Sequence, residues 1–298
     1  MPMKYWTVLT MRDDFCVFII SYDRPKNVPT IETLEKHGYT GDWYIVVDHE
    51  DDVEPYTAEY GDDRVIKLDK DDALPELDRG DNFNHRNCNV YARQQMWDLA
   101  GSLGYDYFLV LDDDYNTFEF RFGGNREYGL RDRVEDLDRI INASIKYLDE
   151  ADLDTLCTAQ GGDWIGGAQS HIGNDGTVSA KRKAMNSFLC KTDRPFDFRG
   201  TINEDVNTYV RAAQLGKIFL TYNIVSLEQE RTQQEEGGLT DIYKSEGTYI
   251  KSFYTILYSP SSVSLTKMGG EADDRIHHRV DWNASVPKIV PESCKMDN

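Results

Sequence analysis

With 298 residues, a net charge of −20 and 40% hydrophobic residues, the chain can bury the core of one large α/β domain or two small ones, which excludes a disordered polyanion. The acidic balance works against indiscriminate adsorption to nucleic acid or anionic membrane, although screening over about 8 Å lets a local basic patch act against the total. Cys16, Cys88, Cys157, Cys190 and Cys294 are odd in number and form no CxxC pair, so reduced thiols are expected rather than a disulfide framework.

The start of the chain mixes charged and apolar residues, residues 16–20 are too short for a signal core, and no run reaches membrane-span length. A soluble, cytoplasmic protein is expected. Residues 16–21 read as a first buried strand, followed by the turn Tyr22-Asp23-Arg24-Pro25. A helix is expected from Pro29, a residue tolerated in a first turn, to His37 before Gly38. Residues 42–47 form a second strand ending on Asp48, 55–60 a short helix and 64–68 a third strand. Such alternation implies parallel pairing with right-handed crossovers. Residues 69–84, with Pro75 and Gly80, read as a loop, and 87–103 as a helix stopped by Gly104.

Next comes an apolar run, Tyr107 to Leu111, that stops on Asp112-Asp113-Asp114. Its composition is that of a buried central strand. Three carboxylates at its end belong at the carboxyl edge of a sheet, where open α/β folds bind ligands. Residues 118–122 alternate like an antiparallel strand with one exposed face. Residues 134–148 place Leu137, Ile141, Ile145 and Leu148 on one helix face. A strand over 155–160 leads into Gly161, Gly162, Gly166, Gly167, Gly173 and Gly176, a loop around Trp164 in which the backbone approaches a ligand or merely turns irregularly. Lys181-Arg182-Lys183 is the one triple basic run. A helix over 204–215, a strand over 217–221, a polar loop over 228–238 and a helix over 248–258 follow. The last segment contains His277-His278 and finishes in an irregular tail. Neither a repeat nor a linker divides the chain, so a single α/β domain is expected, with a mostly parallel central sheet flanked by helices.

Several constellations could carry chemistry. Asp112, Asp113 and Asp114 suit a hard divalent cation that also holds phosphate oxygens; a solvated acidic turn is the plainer alternative. Ser21, Asp23, Arg24 and Asp48 stand at the same sheet edge if the strands are parallel, and could hold a nucleotide base and ribose, or simply make turns. Glu50, Asp51, Asp52 and Glu54 are most simply a solvated acidic run. Arg93 could donate to a diphosphate, or could pair with one of the many acids, which is the cheaper explanation. Glu204-Asp205 could supply a general base, or only complement a helix dipole. His277-His278 could complete a metal shell, on weak spacing.

Taken in order, the exit turn after the first strand, the ending Val47-Asp48, Arg93, Leu111-Asp112-Asp113-Asp114 and Glu204-Asp205 resemble the GT-A-fold glycosyltransferases, with a DxD motif on Asp112 and Asp114. More narrowly, residues 18–25 and 107–115 resemble the TET-associated glycosyltransferases of bacteriophages, and the likeness in motif order covers roughly residues 15–270. The resemblance implies a nucleotide-sugar donor of the UDP-sugar class and Mn²⁺ or Mg²⁺ on Asp112 and Asp114. It also implies transfer onto 5-hydroxymethylpyrimidines, with 5-hydroxymethylcytosine in phage DNA favoured. Asp205 would be the base of an inverting reaction, Glu204 would orient the acceptor, and His277 or His278 would be a late metal ligand. Because the acids are three, the DxD frame stays open and Asp113 could contact the donor. The donor side would then hold Ser21, Asp23, Arg24, Asp48, Arg93 and Asp113, in a nucleotide-binding half of about 15–115. The acceptor side, about 116–285, would offer Trp164, Lys181, Arg182 and Lys183, with Arg121, Arg126 and Arg131 extending a basic face. An acceptor of polysaccharide or protein, and a noncatalytic cation-binding module, are the alternatives. A nucleotidyltransferase is disfavoured, since no glycine-rich phosphate loop follows the first strand.

Overall fold

In the computed structural model the uninterrupted apolar runs become the central strands. The structure describes residues 10–48, 50–73, 77–80, 88–122, 128–164, 170, 172, 176–185, 187–229, 250–268, 275–290 and 292. β1 (Phe15–Ile20) is buried at every position, and it lies parallel to β2 (Asp42–Val47) on one side and β4 (Tyr107–Asp112) on the other. β3 (Val65–Lys67) pairs parallel with β2 and ends that side of the sheet. A strand covered on both faces has no use for polar alternation. Accordingly Cys16, Phe18, Ile20, Phe108 and Val110 enter one core, while Phe15, Val17, Ile19, Leu109 and Leu111 enter the other.

The same sheet continues past β4 in mixed sense. β9 (Ser187–Lys191) runs antiparallel between β4 and β7 (Thr155–Gln160), and β7 pairs parallel with β10 (Phe219–Gln229). β10 is followed by β5 (Tyr115–Phe122) and β6 (Tyr128–Arg133), both added antiparallel, and short β8 (Val178–Ser179) also pairs with β10. A separate hairpin joins β11 (Val263–Met268) and β12 (Arg275–Val280). The helices are α1 (Pro29–Lys36), α2 (Glu50–Tyr60), α3 (Lys70–Ala73), α4 (Val90–Gln94), α5 (Met96–Leu103), α6 (Leu137–Glu150), α7 (Glu204–Gln214), α8 (Ile250–Tyr258) and α9 (Trp282–Ser285). One core packs Trp97, Phe188, Phe196, Phe198 and Tyr209, and the other packs Leu34 and the expected face of α6. Among the described residues no helix is long and apolar enough to cross a membrane.

The α/β class holds, with several local corrections. The helix read over 87–103 is two helices, because the Gln95 N–H turns back to the Ala92 carbonyl three residues away and tightens the turn there. The loop read over 69–84 contains α3, and the helix read from Pro55 begins at Glu50. β10 runs on to Gln229, so Glu228 belongs to a strand rather than a loop. The histidine pair, given no element from the sequence, lies in β12. α6 starts at Leu137 because the Asp136 carboxylate accepts from the Arg139 N–H, capping the first turn. Of the earlier expectations, those on Asn87, Arg126, Gly166, Gly167, Gly173, residues 230–238, 248–249 and Cys294 lie outside the described residues.

His37 closes α1 and links it to the sheet. Its Nδ1 faces the Val134 carbonyl at 2.5 Å and its Nε2 accepts from the Phe118 N–H at 3.2 Å. Burial holds this imidazole below its ordinary pKa, outweighing the bond to the Val134 carbonyl. The unfolded chain therefore binds a proton more readily, and the stability contributed by neutral His37 is complete above about pH 6.5 and lost as pH falls through the folded-state value. Thermal melts between about pH 7.5 and pH 5 should show a smaller loss of Tm for His37→Gln than for the parent chain.

Candidate functional site

The acid turn is built by parallel register and by α1. Ile20 of β1 pairs with Asp112 of β4, so the residues just after both strands emerge together at the sheet edge. Thr30, in the first turn of α1, donates its hydroxyl to the Asp112 carbonyl at 2.8 Å and accepts from the Tyr115 N–H at 3.0 Å. Its own N–H donates to the Asp113 carbonyl, and the Thr33 hydroxyl donates to the Tyr115 carbonyl. With the backbone pinned, the three carboxylates point to three different partners. Asp112 accepts from Arg93 Nη2 at 2.8 Å and from Asn89 Nδ2 at 3.4 Å. Asp113 accepts from the Ser21 hydroxyl at 2.5 Å, with Arg24 Nε at 3.4 Å. Both oxygens of Asp114 face Gln229 Nε2 at 2.9 Å. Burial, reinforced by the neighbouring acids, pushes Asp113 up to about 6 and Asp114 up to about 7.

Arg93 joins this turn to the second acid pair. Its side chain is 1% exposed, and its other terminal nitrogen donates to Glu204 Oε1 at 2.5 Å. Glu204 and Asp205 open α7 after Asn203, which adopts the left-handed conformation (φ 61°) and donates its amide to Thr255 of α8 at 2.6 Å. Such a backbone persists only where the surroundings impose it. Burial raises the Glu204 carboxyl above its ordinary range, with Arg93 opposing. Burial would also raise Asp205, but Lys183 Nζ at 2.9 Å outweighs it and holds that carboxyl below the usual range.

Beside Asp205 opens a cavity of about 490 Å³, lined by Arg182, Lys183, Lys251, His277, His278 and Trp282 among others. Arg182 pairs with Asp163, which also lines the cavity. Nδ1 of His278 is buried without a hydrogen-bond partner, and burial followed by the neighbouring His277 and Lys183 pushes this imidazole down to about 4.

The structure places the remaining expected residues less simply. Ser21 is buried between Asp113 and the Tyr56 hydroxyl, Asp23 is an exposed turn residue with φ 53°, and Asp48 pairs with buried Lys70 at 3.1 Å. Arg93 is too deeply buried between carboxylates to reach a donor diphosphate, so the cheaper ion-pair reading of that residue is the correct one. Trp164 packs with Ala159 and Ile172 as a small core and is not an exposed stacking surface. Among the described residues the expected basic face does not form: Arg182 is buried against Asp163, Lys183 is bound to Asp205, and Arg121 is buried against Ser226 and Glu228. Exposed Arg131 pairs with Glu119, and Lys181 alone of the triple run is exposed. The expected ligand set of two acids and a histidine is not assembled, because the histidines face the cation-lined cavity while each acid is engaged elsewhere. Among the described residues no three His, Cys, Asp or Glu side chains come together to hold a metal ion. Lys70, Asn89, Gln229 and Lys251 were not singled out from sequence. Each is an ordinary polar residue whose only signal is its place in the fold.

A family model described as TET-Associated Glycosyltransferase matches residues 15–238. Among solved structures, the chain is similar to glucosyl-3-phosphoglycerate synthase from Mycobacterium tuberculosis in complex with Mn²⁺, UDP and phosphoglyceric acid, at 11% identity and a TM-score of 0.42, covering 90% of this chain and 87% of that one. It is also similar to mannosyl-3-phosphoglycerate synthase from Rubrobacter xylanophilus, at 12% identity and a TM-score of 0.41, covering 89% and 84%. No curated protein matches the chain.

Removing Arg93 would leave Asp112 and Glu204 buried without their counter-charge. Arg93→Met should therefore cost about 3–5 kcal/mol in a urea titration, the range for breaking one side of a buried ion pair. Arg93→Lys, which cannot span both carboxylates with a planar fork, should fall between the two.

Proposed function

We propose, starting from the fact that this chain belongs to the TET-associated glycosyltransferase family, that it moves a sugar from a UDP-type nucleotide sugar to 5-hydroxymethylcytosine in DNA. The observation that carries this reading is the buried Asp112–Arg93–Glu204 link, which ties the strand-end acids to the acid pair that opens α7. The chain is a GT-A-type glycosyltransferase, and its nucleotide-sugar donor would lie along residues of about 15–115 and its acceptor along about 116–285.

Donor binding falls to the edge formed by β1, β2 and β4. Ser21, Arg24 and Asp48 shape the crevice for base and ribose, and Asp113 is held by Ser21 as part of its wall. By the chemistry of its donors the turn suits a small hard cation: Asp112 and Asp114 offer carboxylate oxygens, which a cation would share with Arg93 and Gln229, and Mg²⁺ commonly takes one or two carboxylates plus substrate phosphates. These two residues would hold Mn²⁺ or Mg²⁺, and such an ion stabilises charge on a leaving diphosphate. The histidines of β12 are left out of that set.

On the acceptor side, Asp205 takes the proton from the hydroxymethyl oxygen as that oxygen attacks the sugar's anomeric carbon, which gives inversion. Its ordinary to low pKa suffices where the hydroxyl is held in line with the donor. Glu204, fixed by Arg93, orients the acceptor and keeps the peptide at the start of α7 in place. The loss of a broad basic face favours, as the alternative, a polysaccharide or protein acceptor served by the same donor residues.

Incubation with hydroxymethylated duplex DNA and a panel of nucleotide sugars, followed by nucleoside mass spectrometry, should show a modified cytosine heavier by one sugar; no increase with any donor rejects the DNA acceptor. Asp114→Ala should abolish this transfer, and full turnover in chelator-treated buffer would reject the role given to the cation. Asp205→Asn should lower kcat by about 10²–10⁴ while calorimetry shows UDP binding in the presence of Mn²⁺ unchanged.

A further inference from the structure

The cavity beside Asp205 has a composition at odds with the rest of the chain. In a protein with a net charge of −20, its walls gather Arg182, Lys183 and Lys251, and the imidazole of His278 turns a buried Nδ1 without a partner among the described residues. Asp163, paired with Arg182, is the one carboxylate among these lining residues, and Val206, Val280 and Trp282 supply an apolar side. Trp282 is wedged edge-on against Tyr209, ring centroids 5.5 Å apart, so its plane is set by packing. Every lining residue falls between Gly162 and Trp282, in the half of the chain that does not hold the strand-end acids. A volume of about 490 Å³ lies within the range of small-ligand sites, about 300–1,000 Å³.

An apolar slot with an aromatic side and a cluster of cations matches one nucleotide: a flat base with a phosphate at its edge. It does not match a duplex, whose phosphates would need a broad basic face, and the residues expected to form one are paired internally. Chemistry on a base inside a duplex requires that the base leave the stack. We propose that this cavity receives the acceptor nucleotide turned out of its strand, with its phosphate between Lys183 and Lys251. The inference rests on the DNA-acceptor reading above.

Lys183 then has two partners in turn. Without acceptor it is held by Asp205 at 2.9 Å, and an arriving phosphate competes for the same ammonium. Lys183 is a positioning residue in this scheme: acceptor binding draws it off the carboxylate that must take the proton, so the base is released only when a nucleotide is seated.

Calorimetry on the intact chain tests the cavity without any transfer step. The probes are 5-hydroxymethyl-2′-deoxycytidine and its 5′-monophosphate. The monophosphate should bind at least about tenfold more tightly, as one or more charge-assisted contacts imply. Lys251→Met should shrink that preference, and Lys251→Glu should reverse it. Equal binding of the two probes by the parent chain, or a preference that neither Lys251 variant alters, overturns the proposal. A duplex carrying 2-aminopurine beside the hydroxymethylcytosine should brighten on binding, and a mismatch opposite the target should speed transfer. Transfer to DNA with no brightening and no mismatch effect would leave the DNA-acceptor reading standing and reject the turned-out nucleotide. Absence of transfer to any DNA, with transfer to another acceptor, would reject both.

Discussion

Arg93 is the interaction on which the site depends. A guanidinium with 1% of its side chain exposed sits between Asp112 at the end of β4 and Glu204 at the start of α7. Neither carboxylate could be buried alone, because desolvating an unpaired ion costs several kcal/mol. The planar fork of arginine satisfies both with separate nitrogens, which the point charge of lysine could not do. The link also fixes the separation of two elements that lie far apart in the chain.

Around that link the charges are sorted by sign. The turn after β4 concentrates acid, and α1 holds its backbone through Thr30 and Thr33 so that the carboxylates cannot relax away from one another. Burial there, with the neighbouring acids adding to it, raises Asp113 and Asp114. On the far side of Glu204 and Asp205 the sign reverses, and Lys183, Arg182 and Lys251 line a cavity. Lys183 marks the boundary, paired with Asp205 while belonging to the cavity wall. A chain acidic overall thus keeps cations where one anionic group could be used, which suits steering by a local field rather than by net charge.

Much of the frame was legible in the residues. β1, β4 and β7 announce themselves as short apolar runs, and α6 by Leu137, Ile141, Ile145 and Leu148 at helical spacing, because burial on two faces or on one stripe leaves a periodic trace. β9 left none that stood out: five residues between irregular stretches carry too little pattern, yet it joins the two parallel parts of the sheet. The strand that carries the histidines had no reading of its own, because hairpin pairing with β11 supplies what a weak local signal does not. Trp164 fills a small core instead of meeting an acceptor, since nothing local distinguishes a tryptophan that fills a core from one that lines a cavity.

The sequence alone determined that Asp112, Asp113 and Asp114 would end a buried strand and that Glu204 and Asp205 would open a helix, because local hydrophobic pattern and the cost of burying charge dictate both. Only the tertiary structure decided the partners. It turned Arg93 from a candidate donor contact into the buried bridge, gave Lys183 to Asp205, and moved His277 and His278 from the acids to a cationic cavity. Pairing between charges depends on distance in space, and residues 93, 112, 183 and 204 become neighbours only once the sheet and α7 have packed.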